Sequence, residues 1–120
     1  MDINNNPNAR FNTIFTQEQR DDTAVLRIAG DLDAMSEEHF EQYLPLVLHN
    51  PDTAVLEIDL TDVNFIDSRG LRQLIMAKIS AEESEKRLVI RNAAYSILRI
   101  MDITGLGDQF EFNPPRTPED

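Results

Sequence analysis

The sequence predicts an α/β domain with a mixed, mostly parallel sheet of about five strands and helices packed largely on one face. The hydrophobic period switches repeatedly between two, which is typical of strands, and about three and a half, which is typical of helices. The resulting order, β-β-α-β-α-β-α-β, alternates strands with helices, and right-handed crossovers then make most of the sheet parallel. The chain has 120 residues, which is the size of one domain.

The first two strands are predicted to form a hairpin. Phe11, Thr13 and Phe15 recur at every second position, which is typical of a strand with one solvent-exposed face. A polar turn over residues 18–22 follows and sets this strand antiparallel to the next. The second strand is predicted over residues 25–29, and we expect Gly30 to end it.

The first helix is predicted from an apolar stripe. Apolar residues recur over residues 40–48 at the spacing of one helix face, and Ser36 is the expected N-cap. Pro45 lies within the stripe and has no backbone donor, so we expect a kink or an early end to the helix. The third strand is predicted over residues 54–60.

The second half of the chain continues the alternation. An amphipathic helix over residues 71–79 leads into a short buried strand over residues 88–90. A third helix over residues 94–104 is followed by Gly105, which suits the left-handed conformation at a helix end. The last strand is predicted over residues 110–112.

Both ends of the chain are predicted to be poorly ordered tails. Asparagine is concentrated in residues 1–10, which also contain Pro7, and three prolines lie in residues 113–120. No internal repeat or long linker divides the part between them. We therefore expect a single domain over residues 11–112.

The composition excludes several classes of function. The chain has 11 Lys and Arg against 22 Asp and Glu, a net charge of −11, which argues against binding to nucleic acid or to an anionic membrane. It has no cysteine, which excludes disulfides and thiolate catalysis. No signal peptide, membrane span, phosphate-binding glycine loop or metal-ligand set is visible. We therefore expect a cytoplasmic protein that is not an enzyme and that needs no cofactor or metal.

The residues that suggest a functional site follow two of the predicted strands. Asp31 and Asp33 come after the second strand, and Asp67 and Ser68 come after the third. The carboxyl ends of parallel strands meet at one edge of a sheet, where binding sites tend to be built. We therefore expect these four residues to be neighbours at that edge.

Ser68 has two compatible interpretations. It precedes the apolar residues of the second helix, as an N-cap serine does. A helix start also favours a phosphate group, because its free amides and its dipole attract negative charge. A nucleophilic serine is not expected, since no recognisable motif places a histidine to take its proton.

Three segments together resemble one protein family. Residues 56–71, LEIDLTDVNFIDSRGL, resemble the signature of STAS domains, the sulphate transporter and anti-sigma factor antagonist family. Residues 30–33, GDLD, are similar to the family's G-[ED]-[LI]-D loop, and residues 100–106, IMDITGL, are similar to its terminal helix-to-turn segment. The three segments occur in the family's order and with its spacing.

The resemblance implies a bacterial anti-sigma factor antagonist that works by partner switching. Such a protein, when unphosphorylated, sequesters a serine kinase of the GHKL ATPase class that also serves as the anti-sigma factor. The kinase phosphorylates the serine after the aspartate, here Ser68, and a PP2C-like phosphatase reverses the step. A monomer or weak dimer is expected. The implied docking surface comprises Asp31, Asp33, Asp67, Arg69, Gly70 and Arg72.

Two arginines depart from the family's pattern. Arg69 stands where relatives usually carry serine or threonine, and Arg72 replaces a frequent glycine. Arg72 lies four residues after Ser68, so the two can share a helix face, and the arginine is a candidate partner for a phosphate. These arginines would either offset the added charge or mark a different kinase partner.

Two other functions are compatible with parts of the sequence. One is a constitutive scaffold or accessory subunit, as in a stressosome or a lipid transporter, in which Ser68 is only a helix N-cap. The other is a small α/β enzyme, which the lack of a nucleophile–base pair argues against.

Overall fold

The computed structural model describes residues 13–115 and contains one five-stranded sheet and three α-helices. Its strands lie side by side in sequence order; the first pair is antiparallel and the other three pairs are parallel. The predicted fold class is therefore confirmed. The elements are β1 (Ile14–Arg20), β2 (Thr23–Leu32), α1 (Glu37–Leu48), β3 (Val55–Ile66), α2 (Ser68–Glu83), β4 (Arg87–Arg91), α3 (Tyr95–Ile103) and β5 (Glu111–Asn113).

The hydrophobic core lies between one face of the sheet and the helices. All three helices contribute to it, for example with Phe40 of α1, Leu74 of α2 and Met101 of α3. Each fully buried side chain of this size stabilises the fold by about 1.5–3 kcal/mol, so the shared core fixes the helices on this face. Alternate residues of the three central strands complete the core: Ala24, Leu26, Ile28, Leu56, Ile58, Leu60, Leu88 and Ile90.

The opposite face of the sheet carries ion pairs between neighbouring strands. Arg27 of β2 reaches Glu18 of β1 at 3.7 Å and Asp59 of β3 at 3.2 Å. Arg91 of β4 reaches Glu57 of β3 at 3.3 Å. Oppositely charged residues on adjacent strands stabilise their pairing. We call this surface the ion-pair face; its charged residues are Glu18, Arg20, Arg27, Glu57, Asp59, Arg87, Arg91 and Glu111.

The hairpin differs from the prediction in where it turns. Strand β1 continues to Arg20, which pairs with Thr23, so the turn shrinks from residues 18–22 to Asp21 and Asp22. β1 is an edge strand, so polar side chains are tolerated along it and do not signal a turn. Residues 11 and 12 of the predicted first strand lie outside the described part.

Strand β2 passes through Gly30 and ends at Leu32, so the prediction that Gly30 ends the strand was wrong. Gly30 has φ 113, and the pairing of β2 with β3 shifts register on both sides of it. The glycine accommodates an irregularity within the ladder. Strand β3 is correspondingly longer than predicted and reaches Ile66.

Helix α1 continues past Pro45 to Leu48, so the predicted early end was wrong. A proline inside a helix costs about 3 kcal/mol, but Val47 and Leu48 are both buried in the core beyond it. Their burial outweighs the lost backbone hydrogen bond. Gly105 follows α3 with φ 79, the left-handed conformation expected there, and β5 includes Asn113, one residue beyond the predicted end of the domain.

Candidate functional site

The carboxyl ends of β2 and β3 bring the predicted site residues together. Leu32 is paired with Ile66 at the last position of the two strands, so Asp33 and Asp67 follow at the same edge. The backbone amide of Asp67 donates a hydrogen bond to the carbonyl oxygen of Leu32 at 3.2 Å. Asp31 lies in β2, where it pairs in register with Phe65 of β3. We call Asp31, Asp33, Asp67 and Ser68 the acidic edge.

Asp67, not Ser68, caps helix α2. One oxygen of the Asp67 carboxylate accepts hydrogen bonds from the backbone amides of Arg69 at 2.9 Å and Gly70 at 3.0 Å. The N-cap interpretation of Ser68 was therefore wrong, because Ser68 is already the first residue of the helix. Its side chain is exposed and makes no hydrogen bond with any residue of 13–115. The hydroxyl is thus available to an incoming group.

Asp33 plays the matching role on the neighbouring loop. It precedes a short 3-10 turn, Ala34–Ser36, and its carboxylate accepts a hydrogen bond from the amide of Met35 at 2.9 Å. The hydroxyl of Ser36 accepts a hydrogen bond from the amide of Asp33 at 3.1 Å, which completes a capping box. Ser36 occupies the N-cap position of α1, as predicted, but its side chain makes no capping hydrogen bond to that helix.

A buried polar link that the sequence analysis missed joins this loop to α2. The Ser36 hydroxyl contacts the Gln73 amide oxygen at 2.5 Å, and the Gln73 amide nitrogen donates to the carbonyl of Asp33 at 2.7 Å. Both side chains are buried. The available signal was a polar residue at position 73 between Leu71 and Leu74 in the buried stripe of the helix. The link fixes the orientation of α2 relative to the Asp33 loop.

Gly70 allows the start of α2 to approach β2 closely. A β-carbon at this position would lie 2.2 Å from the carbonyl oxygen of Leu32, which is a backbone atom that has little room to move. Gly70 is buried, so this face of the helix packs against the sheet and is not exposed to solvent. In contrast to its predicted place on the docking surface, it positions the acidic edge from beneath.

Arg69 and Arg72 are exposed and line a groove of about 620 Å³ between α1 and α2. The α1 side of the groove contributes Glu37 and Glu41. No ion pair involving either arginine is present within the described range, although carboxylates line the same groove. The guanidinium groups are therefore free to meet another anion. The apolar part of the groove is formed by Phe40, Leu44, Pro45 and Met76.

Apolar side chains flank the acidic edge. Met35 of the 3-10 turn is 62% exposed, and Phe65 near the end of β3 is 51% exposed. Large exposed apolar side chains next to polar groups are typical of protein contact sites. Over residues 13–115 no group of His, Asp and Glu side chains is arranged to hold a metal ion, and none of the helices there is long and apolar enough to span a membrane.

Comparison with known proteins identifies the family. The family model described as "Mlab, STAS domain" matches residues 15–112. The chain belongs to the STAS domain family. It is 31% identical over 99 residues to an anti-sigma-B factor antagonist from Listeria monocytogenes, covering 82% of this chain and 86% of that protein.

Solved STAS structures share the fold. A crystal structure of an anti-sigma factor antagonist from Mycobacterium paratuberculosis aligns with a TM-score of 0.70 and 25% identity, covering 91% of this chain and 90% of that one. The Bacillus cell fate determinant SpoIIAA in its phosphorylated form aligns with a TM-score of 0.64 and 20% identity, covering 88% and 94%. The second alignment supports the fold alone.

Proposed function

We propose that this STAS protein is an anti-sigma factor antagonist whose binding is switched by phosphorylation of Ser68. The unphosphorylated form binds a GHKL-type serine kinase that is also the anti-sigma factor, and phosphorylation releases it. A PP2C-like phosphatase restores the binding form. The observation that carries the proposal is the exposed Ser68 hydroxyl, left free because Asp67 caps the helix. Such a protein acts in the cytoplasm, where sigma factors work.

The similarity to named antagonists supports this function. The Listeria protein that is 31% identical is an anti-sigma-B factor antagonist. Other anti-sigma-B factor antagonists also align with most of this chain. SpoIIAA, which shares the fold, has been solved in a phosphorylated form. Phosphorylation is therefore compatible with this architecture.

Electrostatics explain how one phosphate would change binding. A phosphoserine adds about −1.5 to −2 charge at neutral pH, and here it would join the carboxylates of Asp31, Asp33 and Asp67. A partner that fits this edge when it carries three carboxylates meets a more negative and more strongly hydrated surface after phosphorylation. Like charges that are brought together at an interface cost several kcal/mol of binding free energy, and each ~1.4 kcal/mol lowers affinity tenfold. The fold itself tolerates the phosphate, because a helix start favours negative charge.

The proposed docking surface combines charge with apolar contacts. Asp31, Asp33 and Asp67 supply negative charge, and the exposed side chains of Met35 and Phe65 supply apolar area beside them. Arg69 and Arg72 extend the surface along α2 into the groove. We therefore expect a partner with an apolar centre, with basic groups facing the three aspartates and with an acidic group facing Arg69, Arg72 and Ser68, where an added phosphate meets like charge.

The test is phosphorylation in vitro followed by binding. The full chain is incubated with the cognate GHKL-type kinase and ATP, and mass spectrometry locates the phosphate. We expect it on Ser68, no modification of Ser68→Ala, and an affinity for the kinase about 100-fold lower after phosphorylation. Ser96→Ala is the matched control, because Ser96 is also an exposed serine in the first turn of a helix. Phosphorylation that survives Ser68→Ala would refute the site.

A constitutive STAS scaffold or accessory subunit is the second candidate. It is favoured by the family model, whose description names Mlab and not an antagonist. That candidate no longer needs Ser68 as an N-cap, since Asp67 has this role. It predicts that Ser68→Asp leaves partner binding unchanged, whereas the switch predicts that Ser68→Asp weakens binding and Ser68→Ala does not.

A further inference from the structure

Most described arginines pair with carboxylates, but those beside Ser68 do not. Four of them form ion pairs on the ion-pair face: Arg20, Arg27, Arg87 and Arg91. The other three arginines in residues 13–115 are Arg69, Arg72 and Arg99, and no carboxylate lies within ion-pair distance of them there. In a chain of net charge −11, these are two cations that lack a carboxylate partner and lie within four residues of a serine whose hydroxyl is free.

Helix geometry distinguishes the two arginines of α2. Ser68 and Arg72 both lie in the helix and are four residues apart, a spacing that places two side chains on the same face. The bond from Cα to Cβ also tilts toward the start of a helix, so the Arg72 side chain leans back over the turn that holds Ser68. Arg69 is one residue from Ser68, and adjacent helix positions do not face each other.

We infer that Arg72 is the counter-cation for a phosphate on Ser68, an inference that rests on the function proposed above. The guanidinium can donate two parallel hydrogen bonds to phosphate oxygens. The groove carboxylates of Glu37 and Glu41 leave the arginine unpaired, so within residues 13–115 the phosphate has no carboxylate to displace.

This pairing shapes the phosphorylated state. Arg72 holds the phosphate against the first turn of α2 and withdraws its own charge from the groove. The surface offered to a partner thus changes in two ways: the acidic edge gains a dianion, and the groove loses one of its two cations. Arg69 remains available in the groove in both states.

The test measures the phosphate directly and needs no partner. Phosphoserine is incorporated at position 68 of the full chain during translation, and ³¹P NMR follows its second ionisation as the pH is raised. A nearby guanidinium favours the dianion and lowers the pKa of the phosphate. We expect Arg72→Gln to move the titration midpoint to higher pH by about 0.3, with Arg99→Gln unchanged from the parent chain.

Arg69→Gln is the decisive control, because it removes the same charge from the same helix without the four-residue spacing. A smaller shift for Arg69→Gln than for Arg72→Gln supports the pairing. Equal shifts for the two variants, or no shift for Arg72→Gln, would overturn it. The outcome is independent of the proposed function: a phosphorylated chain that titrates as expected but still binds its kinase would refute the switch and leave the pairing intact.

Discussion

The ion-pair face and the acidic edge are both rich in charge, yet they treat it differently. On the ion-pair face every arginine meets a carboxylate across or along the strands. At the acidic edge Asp33 and Asp67 are used as helix caps, and the arginines of α2 are left unpaired. The arginines of the ion-pair face are paired with carboxylates within the fold. The charged side chains at the acidic edge are held in place but remain available to another molecule.

The largest loss of stability is expected at Gly70, where helix α2 packs against the backbone of β2. Gly70→Ala would place a β-carbon 2.2 Å from the carbonyl of Leu32, and relief requires α2 to move away from the sheet. We expect a loss of about 3 kcal/mol in the free energy of unfolding, measured by urea denaturation. Ser68→Ala in the same turn is the control and should change stability by less than about 0.5 kcal/mol. Equal stability of the two variants would show that this contact is easily relieved.

A smaller loss of stability is expected when the buried hydrogen bond between Ser36 and Gln73 is removed. Ser36→Ala removes the capping-box hydroxyl and leaves the amide oxygen of Gln73 without its 2.5 Å partner. Leaving a buried polar group unsatisfied costs about 1–3 kcal/mol, so we expect a loss of about 2 kcal/mol in thermal or urea unfolding. Ser96→Ala again serves as the exposed control.

The same link can be isolated by a double-mutant cycle. Ser36→Ala combined with Gln73→Leu should cost less than the sum of the two single changes, because the double variant no longer buries an unpaired amide oxygen. Strict additivity would mean that the Ser36–Gln73 contact contributes nothing of its own.

The smallest effect is expected on the ion-pair face, and it depends on pH. Burial alone raises the pKa of Asp59, but hydrogen bonds from Thr61 and Arg27 outweigh it and hold the pKa below its usual value of 3.8. Because the folded-state pKa lies below the unfolded one, the contribution is complete above the unfolded value and is lost as pH falls through the folded one. Asp59→Asn should cost about 1 kcal/mol at pH 7.

The pH profile distinguishes this effect from a general loss of packing. The difference in unfolding free energy between the parent chain and Asp59→Asn should be constant from pH 5 to 7 and shrink below about pH 4, near the unfolded pKa. A difference that stays constant down to pH 2 would contradict the assignment of the effect to the carboxylate charge.

The order of elements and the meeting of the acidic residues could be predicted from sequence. Alternating periods fix a parallel sheet, and a parallel sheet brings Asp33 and Asp67 to one edge whatever the exact strand ends. The capping residue could not be predicted, because aspartate and serine are equally good N-caps and the choice depends on where β3 ends. Polar residues at the end of β3 concealed that it extends to Ile66.

Contacts between residues that are far apart in the sequence could not be predicted either. Gln73 and Ser36 are 37 residues apart, and their link exists only once α1 and α2 pack together. The ion pairs of Arg27 depend on the strand register, which places Asp59 opposite it in β3. Hydrophobic spacing determines which face of a strand is buried but does not determine which charged side chains become cross-strand partners.

The Gln73 amide makes the acidic edge one preorganised unit. It is bonded both to the Ser36 hydroxyl and to the carbonyl of Asp33, so the loop after β2 and the start of α2 are held in one arrangement before any partner arrives. Ordering loops at an interface normally subtracts from affinity. Here that conformational entropy is already lost when the chain folds. The affinity for a partner then depends mainly on whether Ser68 carries a free hydroxyl or a phosphate.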